Sequence, residues 1–183
     1  TLDLTANTDF AQVEADDQKI NLTRFSLYFP EKRPFFQEGN ENFQIGASGS
    51  SNLDPVIDLV HTRNIANPLA GVKLSGKIGV KNSISLLYAA DRIPEADVVS
   101  YGNYSHFPVF RYKRSLKNDG YLGYIATAVL KDNSSNFVLG EDGNIRLNKS
   151  TMLEFQALVS NTNDTASGID DKRGSSIGLY IHS

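Results

Sequence analysis

The side chains whose type and spacing could do chemistry are acidic and lie near the start of the chain: Glu14, Asp16, Asp17, Glu31, Glu38 and Glu41. Their oxygens are hard ligands of the kind that calcium takes, and two carboxylates about 5–10 Å apart could hydrolyse a glycosidic bond. The spacing matches no calcium-binding loop. The competing interpretation pairs these acids with Arg24, Lys32 and Arg33, because buried charges must be compensated. We favour this second interpretation and expect no metal ligand and no catalytic residue.

Basic side chains offer a second kind of chemistry, the attraction of anionic solutes into a water-filled lumen. Arg63, Arg111, Lys113 and Arg114 are candidates, together with the basic residues already named. The alternative is a salt-bridged interior in which they pair with the N-terminal acids, and the two interpretations can coexist. We therefore predict a charged cluster where a plug-like N-terminal segment meets a lumen, formed by Glu14, Asp16, Arg24, Glu31, Lys32, Arg33, Glu38, Arg63, Arg111 and Lys113.

Other reactive groups give no recognisable site. His61, His106 and His182 are far apart and lack metal-binding spacing, so exposed or interfacial histidines are expected. The small residues of 46–50 surround a serine without forming the G-x-S-x-G motif of a nucleophile elbow, and they indicate a flexible loop. No cofactor is expected, and the sequence favours a region without catalysis of its own.

Composition narrows the class of protein. Of the 183 residues, 40% are hydrophobic and 21% are charged, which is typical of an ordered chain. The net charge of −3 with no long basic run argues against nucleic acid as a partner. No apolar run approaches the roughly 20 residues of a membrane helix, whereas a membrane β-strand needs only about 9–11 residues of alternating polarity. A helical membrane protein is excluded, and a membrane barrel is not.

From about residue 69 the hydrophobic period is two, which predicts β-strands. In residues 71–81 the apolar side chains occupy one face, ending with Ile78 and Val80, and the lysines occupy the other. Further strands are predicted at about 83–91, 101–116, 121–131, 136–147, 151–160 and from 177 onward. Residues 117–120 (K-N-D-G) predict a hairpin turn, the chain is expected to turn at 148–150 rather than at Asp142-Gly143, and 161–174 is expected to be a loop.

These patterns predict an all-β fold, an antiparallel up-and-down meander that is a section of an outer-membrane-type β-barrel. Residues 1–68 would form a strand and an irregular plug-like segment, and residues 69–183 the meander. The apolar face is either a sandwich core or a lipid-facing surface. A polar opposite face favours lipid, as do aromatic residues expected near strand ends: Tyr88, Tyr101, Tyr104, Phe107, Tyr121 and Tyr180. The sheet is expected to be incomplete, because a membrane sheet cannot leave an open edge.

Three sequence words in the first 39 residues resemble a known family. They are N-T-D-F-A-Q-V-E-A-D at 7–16, N-L-T-R-F at 21–25 and F-P-E-K-R-P-F-F-Q-E-G at 29–39. Together with T-R-N-I at 62–65 and G-V-K-L-S-G-K at 71–77, they are similar to the bacterial family called domain of unknown function 5916 (DUF5916). This chain departs from the family's usual pattern at Asn64 and Ala66, where Arg and Gly are usual.

The resemblance implies an envelope location, a family-9-like carbohydrate-binding module upstream and the first part of a barrel. It implies no established activity, and the hydrolase label given to some members is not transferred to these residues. We therefore expect a channel, receptor or scaffold in the bacterial outer membrane, linked to glycan binding or uptake. Its expected partners are outer-membrane lipid, glycan and other envelope subunits. Two alternatives stay open: a soluble glycan-binding or glycan-hydrolysing β-protein using Glu14, Glu31 or Glu38, and a module that pairs through an exposed edge strand.

Overall fold

A computed structural model describes residues 1–6, 31–45, 59–92, 104–165 and 169–182. Their main element is a single antiparallel sheet of eight strands in chain order. Strands β1 and β8 form the two edges of this open sheet. The strands are β1 (Leu2–Ala6), β2 (Pro68–Ile78), β3 (Asn82–Arg92), β4 (Tyr104–Ser115), β5 (Tyr121–Lys131), β6 (Ser134–Arg146), β7 (Met152–Asp164) and β8 (Ile169–His182).

The predicted antiparallel meander is confirmed, with seven strands after residue 67. The predicted loop at 161–174 was wrong, because β7 continues to Asp164 and β8 begins at Ile169. The two strands pair there through the backbone, for example Asn161 with Arg173, so the pairing needs no apolar residue. The prediction that Val80 lies on the apolar face of the strand at 71–81 was also wrong. Val80 lies in the turn at 79–81, where Gly79 has a φ of 65°.

Two expectations about turns are confirmed. Asn118 and Asp119 adopt φ values of 57° and 60° between β4 and β5, a left-handed conformation that Asn and Asp tolerate. Asp142 and Gly143 lie inside β6, and the chain turns at 147–151 instead. There the Asn148 side-chain oxygen accepts hydrogen bonds from two backbone N–H groups of the turn. Local turn chemistry therefore sets the ends of these hairpins.

Two segments, residues 31–45 and 59–67, cover one face of the sheet, which we call the covered face. Phe36, Phe43 and Ile65 of these covering segments pack against Leu87 and other apolar residues of β3 and β4. A second cluster joins Ile45 to the sheet residues Ile125 and Leu158. The only α-helix among the described residues, α1 (Pro34–Gln37), begins at a proline. Proline is tolerated in the first turn of a helix, where its missing N–H group would have no helical partner.

The opposite face of the sheet, which we call the bare face, is apolar and exposed. Leu139 and Ile177 are 58% and 85% exposed. The expected sharing of one face by Leu74, Leu86 and Phe110 is confirmed, and all three are exposed. The expected aromatic positions hold only in part, because Phe107, Tyr121 and Tyr180 lie on the covered face by their pairing. Tyr101 lies outside the described residues. Within the described ranges, no helix is long and apolar enough to span a membrane.

The turn between β4 and β5 gives a test of the fold. Asp119→Val should lower the free energy of unfolding by about 1–2 kcal/mol, because a β-branched side chain is strained at positive φ. Asp119→Gly is the matched control and should leave stability unchanged or raise it slightly, because glycine accepts this conformation. Equilibrium denaturation of both variants measures the difference, and equal stabilities would contradict the turn geometry.

Candidate functional site on the covered face

Lys73 on β2 attaches the sheet to the first covering segment. Its ammonium Nζ donates hydrogen bonds to the backbone oxygens of Phe35 and Glu38, at 2.7 and 2.6 Å. It also lies 5.1 Å from the centre of the Phe35 ring and 3.7 Å from a carboxylate oxygen of Asp3. A cation at the end of a short helix is favourable, since the last carbonyls there lack helical partners. Lys73 therefore holds α1 against the sheet.

Asp91 on β3 attaches the sheet to the second covering segment. Its two carboxylate oxygens accept hydrogen bonds from the backbone N–H groups of Ala66 and Asn67, at 3.0 and 2.6 Å. The side chain is buried. Hydrogen bonds to a charged acceptor are stronger than neutral ones, and they compensate the buried carboxylate. Neighbouring strands thus supply one cation and one anion, and each binds the backbone of a different covering segment.

An ion pair joins the two covering segments to each other. Arg33 donates from Nε and Nη2 to the two carboxylate oxygens of Glu31, at 2.8 and 2.7 Å. Its Nη1 and Nη2 also donate to the backbone oxygens of Ile65 and Thr62, and the Thr62 hydroxyl donates to Glu31 at 2.6 Å. Although partial burial opposes it, hydrogen bonding from Arg33 and Thr62 lowers the pKa of Glu31 to about 2. Residues 31–33 of the F-P-E-K-R-P-F-F motif are therefore in contact with residues 62–65, the T-R-N-I motif.

A second ion pair lies deeper, between Arg111 on β4 and Asp142 on β6. The guanidinium donates to both carboxylate oxygens, and each side chain is only 1% exposed. The Tyr121 hydroxyl donates to the same carboxylate at 2.8 Å. The pair spans the intervening strand at Gly123, where an added Cβ would lie 2.6 Å from Asp142 Oδ1 and 2.7 Å from Arg111 Nη1. Only glycine leaves room for this crossing.

Further polar groups surround this pair. Glu154 and Gln156 on β7 are buried on the covered face, and the Lys113 ammonium lies 5.5 Å from the centre of the Tyr121 ring. Among the described residues, Arg111 Nε and Gln156 Oε1 are buried without a protein hydrogen-bond partner. One is a donor and the other an acceptor. This part of the covered face can therefore bind water or a small polar solute.

Of the ten residues predicted to form one charged cluster, the structure describes seven, and these lie in separate places. Glu14, Asp16 and Arg24 lie outside the described residues. Glu31 and Arg33 form the pair between the covering segments, and Lys32 and Arg63 lie half-buried beside them in the sequence. Glu38 contributes its backbone oxygen, not its carboxylate, to Lys73. The remaining two, Arg111 and Lys113, belong to the deeper cluster on the sheet.

Four buried charged residues of the sheet were missed from the sequence: Lys73, Asp91, Asp142 and Glu154. Each lies on the covered face of its strand. The alternation of side chains between the two faces of a strand was therefore the sequence signal that could have identified it. A cavity of about 170 Å³ lies between the second covering segment and strands β3–β6, lined in part by His61, Thr127 and Asn136. It is smaller than the roughly 300–1,000 Å³ of an ordinary ligand pocket. Across the described ranges, no group of three or more possible metal ligands occurs.

Residues 1–48 match the family model described as Domain of unknown function (DUF5916). The expected family is therefore confirmed over this part of the chain, which includes β1 and the first covering segment. No curated protein and no solved structure matches the chain significantly. The carbohydrate-binding module expected upstream stays a prediction.

The Arg111–Asp142 pair makes a quantitative prediction. Arg111→Met should lower the free energy of unfolding by about 3–5 kcal/mol, because it leaves a buried carboxylate without its cation. The double variant Arg111→Met with Asp142→Leu should lose clearly less, because neither charge then remains buried. Denaturant unfolding of both variants measures this coupling. Additive losses in the double variant would contradict the pairing.

The low pKa of Glu31 predicts how stability depends on pH. A carboxylate whose folded pKa is depressed to about 2 from 4.5 stabilises the fold above pH 4.5. This contribution should disappear as the pH falls from about 4.5 to about 2. Glu31→Gln should therefore flatten the curve of unfolding free energy against pH in that window, and Glu41→Gln is the matched control. Identical slopes for wild type and Glu31→Gln would refute the Glu31–Arg33 contact.

Proposed function

Given the DUF5916 match over residues 1–48, we propose that the chain forms part of the wall of a bacterial outer-membrane β-barrel acting as a channel, receptor or scaffold. One observation carries the proposal: one face of the sheet is apolar and exposed, while the opposite, covered face combines apolar clusters with buried charged side chains. The covered face carries Arg111, Asp142 and Glu154, while the bare face carries leucine, isoleucine, valine and phenylalanine. A barrel in lipid has this arrangement, with an apolar outside and a polar lumen.

The energetic argument concerns the bare face. Burying one large aliphatic side chain is worth about 1.5–3 kcal/mol, so a sheet face of exposed residues is costly in water. Leu139, Val159, Ile177, Leu179 and Ile181 are all more than half exposed. Exposed apolar patches of this kind are interaction or membrane surfaces. Contact with the hydrocarbon core of a membrane would remove this free-energy cost for every apolar side chain of the bare face.

The dimensions agree with a membrane wall. Strands β2–β8 contain 11–14 residues, or about 36–46 Å at 3.3 Å per residue. This is more than the roughly 9–11 tilted residues that cross the hydrocarbon core. On the bare face, Tyr112 of β4 lies beside Tyr124, and His106 beside Tyr88. Six residues, or about 20 Å, separate Tyr112 from His106, close to the apolar band of about 25 Å in such barrels.

The bare face also carries charged side chains, among them Glu141 within the apolar band, Arg114 on β4 and Arg173 on β8. Glu141 of β6 pairs with Tyr124 in the sheet and hydrogen-bonds to the Tyr124 hydroxyl. Tyr124 is at the level of the aromatic pair formed with Tyr112. An acidic group at an interfacial level costs far less than one at the bilayer midplane. Glu141 is therefore compatible with a membrane wall whose boundary lies at this level.

In this arrangement the covered face lines the lumen, and the covering segments partly fill it as a plug. The open edges β1 and β8 need pairing in lipid, because unpaired backbone groups are costly there. Further strands or other envelope subunits would supply the pairing. The lumen would offer polar solutes the cluster around Arg111 and Gln156, and a link to glycan uptake rests on the family resemblance alone.

Two other functions have less support. A soluble glycan-active protein needs a second layer over the bare face and, for hydrolysis, an acid that is protonated at working pH. Glu31, with a pKa of about 2 and five hydrogen bonds around its carboxylate, is poorly suited to be that acid. A module pairing through the edge strand β8 would explain that edge, but not the exposed apolar side chains of the bare face.

Expression of the full-length protein in a Gram-negative host tests the proposal. We expect recovery in the outer-membrane fraction and a heat-dependent shift in electrophoretic mobility in detergent. Leu139→Arg should reduce the heat-modifiable form, because a cation on the lipid face costs about 2–4 kcal/mol near the midplane. Ser160→Arg, on the covered face, is the matched control and should assemble normally.

Recovery in the soluble fraction without detergent would overturn the membrane assignment and raise the glycan-binding alternative to first place. Equal assembly of Leu139→Arg and Ser160→Arg would also contradict it, because the two faces would then not differ in environment.

A further inference from the structure

A groove runs along the bare face across strands β3–β6. Its volume is about 610 Å³, within the range of ligand-binding pockets. Its floor is formed by small or flat side chains, namely Ala126, Ala128 and Pro108. Bulky side chains border it on both sides: Leu86, Tyr88 and Phe110 towards β3, and Phe137 and Leu139 on β6. The groove is thus a furrow in an otherwise raised apolar surface.

One end of the groove is polar. His106 lies one pairing level beyond Pro108 on the bare face of β4, and its Nδ1 is 2.7 Å from the Tyr88 hydroxyl. Their rings stack at 6.0 Å. A further level along, Arg92 pairs with Tyr104 in the sheet, and Arg92 is exposed. When the Tyr88 hydroxyl donates to Nδ1, the histidine proton lies on Nε2, which is then available as a donor.

The apolar furrow and the polar end fit one class of ligand. A membrane lipid with an anionic phosphate headgroup has an acyl chain for the groove and phosphate oxygens for donors. The guanidinium of Arg92 supplies the positive charge, and phosphate is a group that arginine recognises well. Of the other polar residues of this rim on the bare face, Ser135 carries no charge, and Asn161 donates a hydrogen bond to Asp171, whose carboxylate is neutralised by Arg173.

We propose that this groove is a specific binding site for one anionic phospholipid, with its acyl chain over Ala126 and Ala128 and its phosphate at Arg92 and His106. The site rests on the proposed function, because it needs the bare face to be in contact with lipid. It goes further, since a general lipid-facing surface has no preferred position and no preferred headgroup.

The test uses the full-length protein purified in detergent, stripped of lipid, and titrated with phosphatidylglycerol or phosphatidylcholine under native mass spectrometry. Wild type should bind one phosphatidylglycerol in preference to phosphatidylcholine. Ala126→Phe with Ala128→Leu fills the furrow and should abolish the single tight binding event for both lipids. Arg92→Gln should weaken phosphatidylglycerol binding about fivefold, the loss expected for one interfacial arginine, with little effect on phosphatidylcholine.

Ala157→Leu, on the bare face of β7 and outside the groove, is the matched control and should bind like wild type. Heat-modifiability, recorded for every variant, reports barrel formation separately. Unchanged lipid binding by a folded groove-filling variant would overturn the lipid site and leave the barrel intact. If that variant does not assemble, Arg92→Gln decides: equal loss for both lipids, or no loss for either, rejects the proposed headgroup contact. A protein recovered without detergent refutes the barrel and the site together.

Discussion

The ion pair between Arg111 and Asp142 constrains the rest of the sheet. It joins β4 to β6 across β5, and it fits only because Gly123 lies at the crossing point. A shift of one residue in β5 would bring a residue with a side chain to the crossing point in place of Gly123. A shift of one residue in β4 or β6 would turn a charged side chain to the bare face, because side chains alternate along a strand. Both charges are buried, so such a shift would leave one of them uncompensated. The pair therefore specifies register, a role that does not require it to add much net stability.

The same need for compensation explains how the covering segments are held. Apolar contacts attach them at Phe36, Phe43 and Ile65, but contacts of this kind are not directional. Lys73 and Asp91 add direction, since each bonds to backbone groups at defined positions. Because the partners are main-chain atoms, these contacts do not depend on which side chains the covering segments carry. The sheet thus fixes the path of the two covering segments, while Glu31 and Arg33 fix the distance between these segments.

Much of the sheet could be predicted from the sequence, because alternation and turn residues are local signals. Asn118 and Asp119 marked one hairpin, and Ile145 with Leu147 indicated that β6 continues past Asp142. The strand ends at 161–174 could not be predicted, because both faces there are polar and only backbone pairing identifies the strand. In the site, Lys73 and Asp91 escaped prediction because backbone partners leave no complementary residue to find. Of the acids in the N-terminal segment, Glu31 is paired with a basic side chain, that of Arg33, whereas the pairing of Glu14, Asp16 and Asp17 stays a prediction.

The direction of β1 determines from which side the covering segments enter. Thr1 lies beside Ser75, near the end of the sheet that carries the short turns at 79–81, 116–120 and 147–151. The connection from β1 to β2, residues 7–67, therefore leaves the sheet at the opposite rim and returns to it there. In a barrel wall both ends of the plug's connection would therefore lie at one mouth, so a solute crossing the barrel would meet the attached ends of the plug on one side of the membrane and the turns at 79–81, 116–120 and 147–151 on the other.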